Sequence, residues 1–269
     1  MSWLQVAASA AAAIAAMRAA YERGDLDEAA RRGALAGPAV VERALVSPDR
    51  TTALAGIAAA TIVEDRAELL GPLARVAAGA DRRTARAAAE AARAIAGELA
   101  RRGPPDDLAP ADLAAWQATW AELALRGDRW IDVRVPALDA AAALDPAGTG
   151  VDLEAALRDP DAAFRRAATG AVRLPVPPAA VPALAAAVAH DADPTTALDA
   201  AQSLCLSLEA SADPRPILDA LGAAGLTRLR ALVTRPPADA PAATLRDAAR
   251  CLAADHAPES AAALRRRRR

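Results

Sequence analysis

The chain has 269 residues, enough to bury a sizeable core or to run as an extended array of small units. Close to a third of it is alanine, with one Phe and one Tyr, which excludes a thick core of large side chains. Its net charge is −2, yet Arg265–Arg269 alone carry five positive charges; without them 27 arginines face 34 acids, about −7, which argues against a body that binds nucleic acid generally.

The apolar run Trp3–Met17 reads as an amphipathic first helix over Ser2–Arg23, stopped by Gly24. It lacks a preceding basic segment and flows into Arg18 and Glu22, unlike a secretory leader. It is too short and too weakly apolar to span a membrane, and no other segment reaches 18 apolar residues. Asp25-Leu26-Asp27-Glu28 resembles a capping box and starts a second helix, ending near Gly37. Pro38 opens a short third helix that closes at Ser47-Pro48. Residues 1–48 are expected to form an N-terminal helical cap, 49–258 a repeat array, and 259–269 a disordered Arg-rich tail.

Asp49 starts a helix with Leu54, Ile57, Ala58, Thr61 and Ile62 on one face. Its partner runs from Glu68 to Val76, with Pro72 expected to bend or break it near Leu70-Gly71. Asp81 starts a long helix to Arg102, broken by Gly103-Pro104-Pro105, and Pro110–Leu125 is its partner. Asp128 or Asp132 starts the next, carrying Val133-Arg134, Ala137 and Leu138, with Val151–Arg158 completing that hairpin. Asp159-Pro160-Asp161 then opens a helix whose face is Phe164, Ala167, Ala168, Ala171 and Val172. Pro175, Pro177 and Pro178 end it and open a short helix with Val181, Leu184 and Val188. His190-Asp191-Ala192-Asp193-Pro194 repeats the Asp-rich turn before a helix with Ala197, Leu198, Ala201, Leu204, Cys205 and Leu208. Pro214–Val233 follows, with Gly222 and Gly225 as its kink positions, and Pro241–Ala254 is the last clear helix. Nothing alternates as a strand would.

The acids that open these helices, Asp49, Asp81, Asp128, Asp161, Asp193 and Asp239, are spaced 32, 47, 33, 32 and 46 residues apart. Three intervals share one value and two carry an insertion of about fourteen residues, the pattern of a repeat array. The fold class expected is all-α, a right-handed α-solenoid of about six stacked helical hairpins. Alanine-rich helices approach closely and suit such thin cores.

This pattern resembles the HEAT-repeat family in its short bacterial form. The resemblance rests on Leu157, Asp159, Asp161, Phe164-Arg165, Ala168 and Ala171, and again on Leu184, Asp191, Asp193, Ala201 and Leu204. Val133-Arg134 matches the family's hydrophobic-Arg pair. The chain departs at Ala197-Leu198, where the family's arginine is missing, so an aspartate–arginine ladder would be incomplete there. The resemblance implies an armadillo-type scaffold that binds a protein through the concave face of its second helices, with no catalytic residue and no cofactor. HEAT-like enzymes also exist, lyase-like or DNA-glycosylase-like, and a buried acid in a pocket beside Trp116 or Trp120 would favour that alternative.

The residues offer little chemistry of their own. His190 and His256 have no Cys or second His at ligand spacing, so no metal is expected. Gly148-Thr149-Gly150 lacks the lysine of a phosphate loop, and no serine sits in a nucleophile elbow. Cys205 and Cys251 occupy apolar helical positions and read as small core residues, not as a disulfide, which fits a reducing, cytoplasmic setting. Trp116 and Trp120, one turn apart, and Trp130 are either core filling or aromatic anchors for a protein partner. The run Arg265, Arg266, Arg267, Arg268, Arg269 is either a solvated end or a contact for nucleic acid or another acidic surface.

Overall fold

The structure is a computed structural model; it describes residues 3–64, 66–105, 108–145, 151–172, 174–210 and 213–266. Among these residues it is all-helical, with fourteen α-helices, two 3-10 turns and no strand. The chain divides into two compact units, Met1–Pro146 and Ala147–Arg269.

The first unit holds α1 (Trp3–Glu22), α2 (Leu26–Ala36), α3 (Pro38–Leu45), α4 (Arg50–Ala60), α5 (Leu70–Ala77), α6 (Arg82–Arg102), α7 (Pro110–Leu125) and α8 (Ile131–Leu144). Each odd-numbered helix packs on the even-numbered helix that follows it. Successive even helices also pack together, α2 on α4, α4 on α6 and α6 on α8, while α1, α3, α5 and α7 touch in sequence on the other side of each pair. Met17, Leu45, Leu69, Leu70, Leu73, Ile95, Trp120 and Leu138 are the large side chains sealed inside. Alanine and glycine bring the helices close. A Cβ on Gly56 of α4 would lie 2.8 Å from the backbone nitrogen of Leu45, and one on Gly33 of α2 would overlap the Ala59 Cβ.

The sequence signals act where they stand. Asp25, Asp49 and Asp81 cap α2, α4 and α6 through their side chains. Gly103 closes α6 at φ 84°, a conformation that an L side chain resists. The interruption expected near Leu70-Gly71 falls between Leu69 and Leu70. A 3-10 turn over Arg66–Leu69 gives way to α5 at Leu70, so Pro72 sits in the first turn of the helix, where its missing N–H breaks nothing. Neither Asp128 nor Asp132 caps α8; Trp130 holds that position without a side-chain bond, and Asp132 lies in the first turn.

The second unit holds α9 (Leu153–Leu157), α10 (Ala162–Ala171), α11 (Val181–His190, after a 3-10 turn), α12 (Pro194–Ala210), α13 (Arg215–Thr234) and α14 (Ala242–Arg266). It repeats the scheme: α9 pairs with α10, α11 with α12, α13 with α14, while α10, α12 and α14 pack in succession and so do α9, α11 and α13. Val151–Arg158, expected to complete a hairpin with α8, holds the short α9, which packs on α10 within its own unit. Phe164, Leu184, Leu198 and Leu204 fill this core. Gly222 breaks α13, at φ 55° and ψ −172°.

Cys205 and Cys251 overturn the expectation of two separate core thiols. They form a disulfide between α12 and α14, with Cα atoms 5.3 Å apart, inside the range that a disulfide spans. The signal lay in the register. Their separation of 46 residues equals the interval between the turn acids Asp193 and Asp239, so the two cysteines hold matching places in adjacent hairpins.

Candidate functional site

The turns before the even-numbered helices carry most of the ordered polar chemistry. Asp49 accepts the Thr52 backbone N–H at 2.8 Å and its hydroxyl at 2.6 Å. Asp193 does the same with Thr196, at 2.9 and 2.7 Å, and Asp81 with Thr84. The shared spelling is Asp-x-x-Thr, which sequence reasoning passed over in favour of the aspartates alone. Hydrogen bonds from Thr52 hold the Asp49 carboxyl below its usual range, and those from Thr84 do so for Asp81. At Asp193 burial pushes upward, but the Thr196 bonds and the Arg166 charge together outweigh it and the carboxyl stays low.

Arginines link these turns within each unit. Arg18 reaches Asp49 at 3.5 Å, Arg50 reaches Asp81 at 3.3 Å, and Arg82 reaches Asp132 at 3.0 Å. The second unit holds a two-bond link. Arg165 forks onto Asp191 with bonds of 2.9 and 3.0 Å and also donates to the carbonyl of Asp159 at 2.7 Å. Asp191 accepts the Asp193 backbone N–H at 2.8 Å, and its own carbonyl receives Arg228 of α13. Arg134, the other arginine of the hydrophobic-Arg pattern, turns inward and donates to the Ala124 carbonyl of α7.

Two aspartates on even-numbered helices stand apart. Burial pushes Asp139 of α8 upward, against Arg93, which lies 3.9 Å away and draws it down. Burial raises Asp199 of α12 as well, again opposed by an arginine, Arg166.

The tryptophans do not gather into one site. Trp120 is fully buried and fills the core, its indole nitrogen without an acceptor. Trp116 is half-buried beside Gly71 of α5, and Trp130 is half-buried at the start of α8. The side chains of Arg265 and Arg266, and all of Arg267, Arg268 and Arg269, lie outside the described residues, as does the side chain of His256.

Three clefts are open. One of about 440 Å³ lies between α9 and α11, floored by Leu157, Pro182 and Ala186 and rimmed by Glu154, Arg158 and His190. A groove of about 500 Å³ over α1, α2 and α3 is lined by alanines, Val40 and an exposed Leu35, with Arg32 and Arg43 beside it. A smaller one of about 190 Å³ lies between the Val63–Ala67 turn and α6, where an Arg66 bond holds Glu98 below its usual range. None of these clefts is lined by tryptophan. Among the described residues no cluster of His, Cys, Asp and Glu is placed to hold a metal, and no helix is long and apolar enough to cross a membrane.

Comparison with known proteins adds no relative: no family model matches the chain, nor does any curated protein or solved structure.

Proposed function

We propose that the chain is a non-enzymatic scaffold of HEAT type. Each unit would be a stretch of right-handed α-solenoid that binds a protein partner along its even-numbered helices. The observation that supports this reading is the packing order. In both units even helix lies on even helix, and odd on odd, in the order of the chain. Hairpins stacked in this way leave one face of each second helix open for a partner. The resemblance of Asp159-Pro160-Asp161 and Phe164-Arg165 to the HEAT pattern agrees with it, as does the arginine link from Arg165 to the next turn. In the first unit the exposed Arg86 and Arg93 of α6 accompany the half-buried Asp139 of α8, and in the second the exposed Arg166 of α10 accompanies the half-buried Asp199 of α12; each mixture of charge suits a polar protein face rather than a phosphate backbone.

The test compares Arg86→Glu/Arg93→Glu on α6 with the control Glu122→Arg on α7. Each is used to capture partners from the native cell, with quantitative mass spectrometry. A protein retained by the control and lost with the α6 variant is the expected result. If no captured protein depends on the α6 face, the reading fails.

A further inference from the structure

The last hairpin is held unevenly. Its first helix, α13, buries Ile217, Leu221, Leu229 and Leu232. Among the described side chains of its second helix, α14, Thr244, Ala248 and Cys251 are the ones turned fully inward, at spacings of four and three that make one stripe. Leu245 and Leu252 are half-buried, and a side-chain hydrogen bond from Gln202 to Asp247 at 2.9 Å joins α12 to α14. No large apolar side chain of α14 is sealed into the core over its described side chains, 242–254. The Cys205–Cys251 bond is the covalent tie between α14 and α12, beside their helix packing, and it ends that stripe of buried residues.

We propose that this disulfide is a redox-sensitive fastener: with it closed α14 is docked on α12, and with it reduced α14 lifts while α11, α12 and α13 stay folded. The step is a two-electron exchange with a dithiol. The S–S bond breaks, Cys205 and Cys251 each gain a hydrogen, and the donor closes to its own disulfide. Closure runs in reverse, with the disulfide of a thiol oxidoreductase as acceptor. Both cysteines are fully buried, so a reductant reaches them only when α14 has already moved. Either kind of thiol therefore acts at the rate at which α14 opens, and a dithiol completes the exchange because its second thiol resolves the mixed disulfide. The surface uncovered is the side of α12 around Leu204, Cys205 and Gln202.

Hydrogen exchange read by mass spectrometry on the full chain, oxidised and after dithiothreitol, tests this. Reduction should speed exchange over 242–254 on the order of 10²–10³-fold, the scale of the entropy returned when a loop of this length is freed, and leave 181–208 protected. Cys205→Ala/Cys251→Ala without reductant should match the reduced chain; if that variant fails to fold, the reduced native sequence carries the test. Equal protection of α14 in both states overturns the proposal. So does loss of protection across the whole second unit together. So do two free thiols in the chain purified without reductant and counted in denaturant.

Discussion

Replacing Arg165 by alanine isolates a two-bond, largely buried ion pair of the second unit. The Asp191 side chain is 4% exposed and that of Arg165 is 13% exposed, so the pair is largely out of water. Without the guanidinium, the Asp191 carboxylate keeps the Asp193 N–H but loses its two charge-assisted bonds. Stranding a buried charge costs about 3–5 kcal/mol, and the slight exposure here places Arg165→Ala near 3 kcal/mol. Asp191→Ala should cost less, about 2 kcal/mol, because Arg165 still has the Asp159 and Pro160 carbonyls and some access to water. The double variant should therefore fall short of the sum of the single losses by about 2 kcal/mol. Urea unfolding followed by circular dichroism at 222 nm measures all four corners of the cycle, with the denaturant slope unchanged if only stability moves. A loss below about 1 kcal/mol for Arg165→Ala, or additive singles, would refute the assignment of this pair as a buried link.

Removing the Asp193 clamp by Asp193→Ala should lower stability by about 1–2 kcal/mol, seen as an earlier urea midpoint. Phe164→Ala, which empties the largest apolar site of the second unit, should cost about 3–5 kcal/mol in the same assay. Gly56→Ala should destabilise the first unit although alanine favours helices, because the new methyl meets the Leu45 backbone; a higher thermal midpoint would contradict that. The acid response has two opposite parts. Asp49 and Asp81, held low, contribute stability that is present above the ordinary carboxylate range and is lost as pH falls through their folded values. Asp199, held high by burial, contributes in the other sense: its stability is present below the ordinary value and disappears as pH rises through the folded one. Asp199→Asn should thus stabilise at neutral pH, by less than about 1 kcal/mol since the group is only half shielded, and should leave stability at acid pH unchanged. A pH series of thermal melts reads both.

Much of the helical plan was legible because its punctuation is local. Asp81, Gly103 and Pro110 each act on their own turn, and α6 and α7 begin and end where those residues stand. Asp25 and Asp49 cap as read, since an N-cap needs only the next three residues. The failures are long-range. Nothing in Val151–Arg158 names the partner of α9, for Ala156 and Leu157 are apolar positions that any neighbouring helix could cover; that α10 covers them is settled by packing beyond the segment itself. The cysteines looked like any small apolar pair until the hairpins were set in register. Trp116 and Trp120 share a spacing that suggests one stripe, yet α7 curves only one of them fully inside, a matter of neighbours on α5 and α8 that periodicity does not encode.

The arginine that follows each of two capping aspartates reaches for an acid at the start of the next even-numbered helix. Arg50 sits directly after Asp49, and Arg82 directly after Asp81. Excising residues 50–81 would join Asp49 to Arg82, recreating the same two-letter junction and keeping both the Arg18 and the Asp132 contacts in phase. The two helix starts thus share one spelling, and a change of chain length by these 32 residues would need no new residue at the seam.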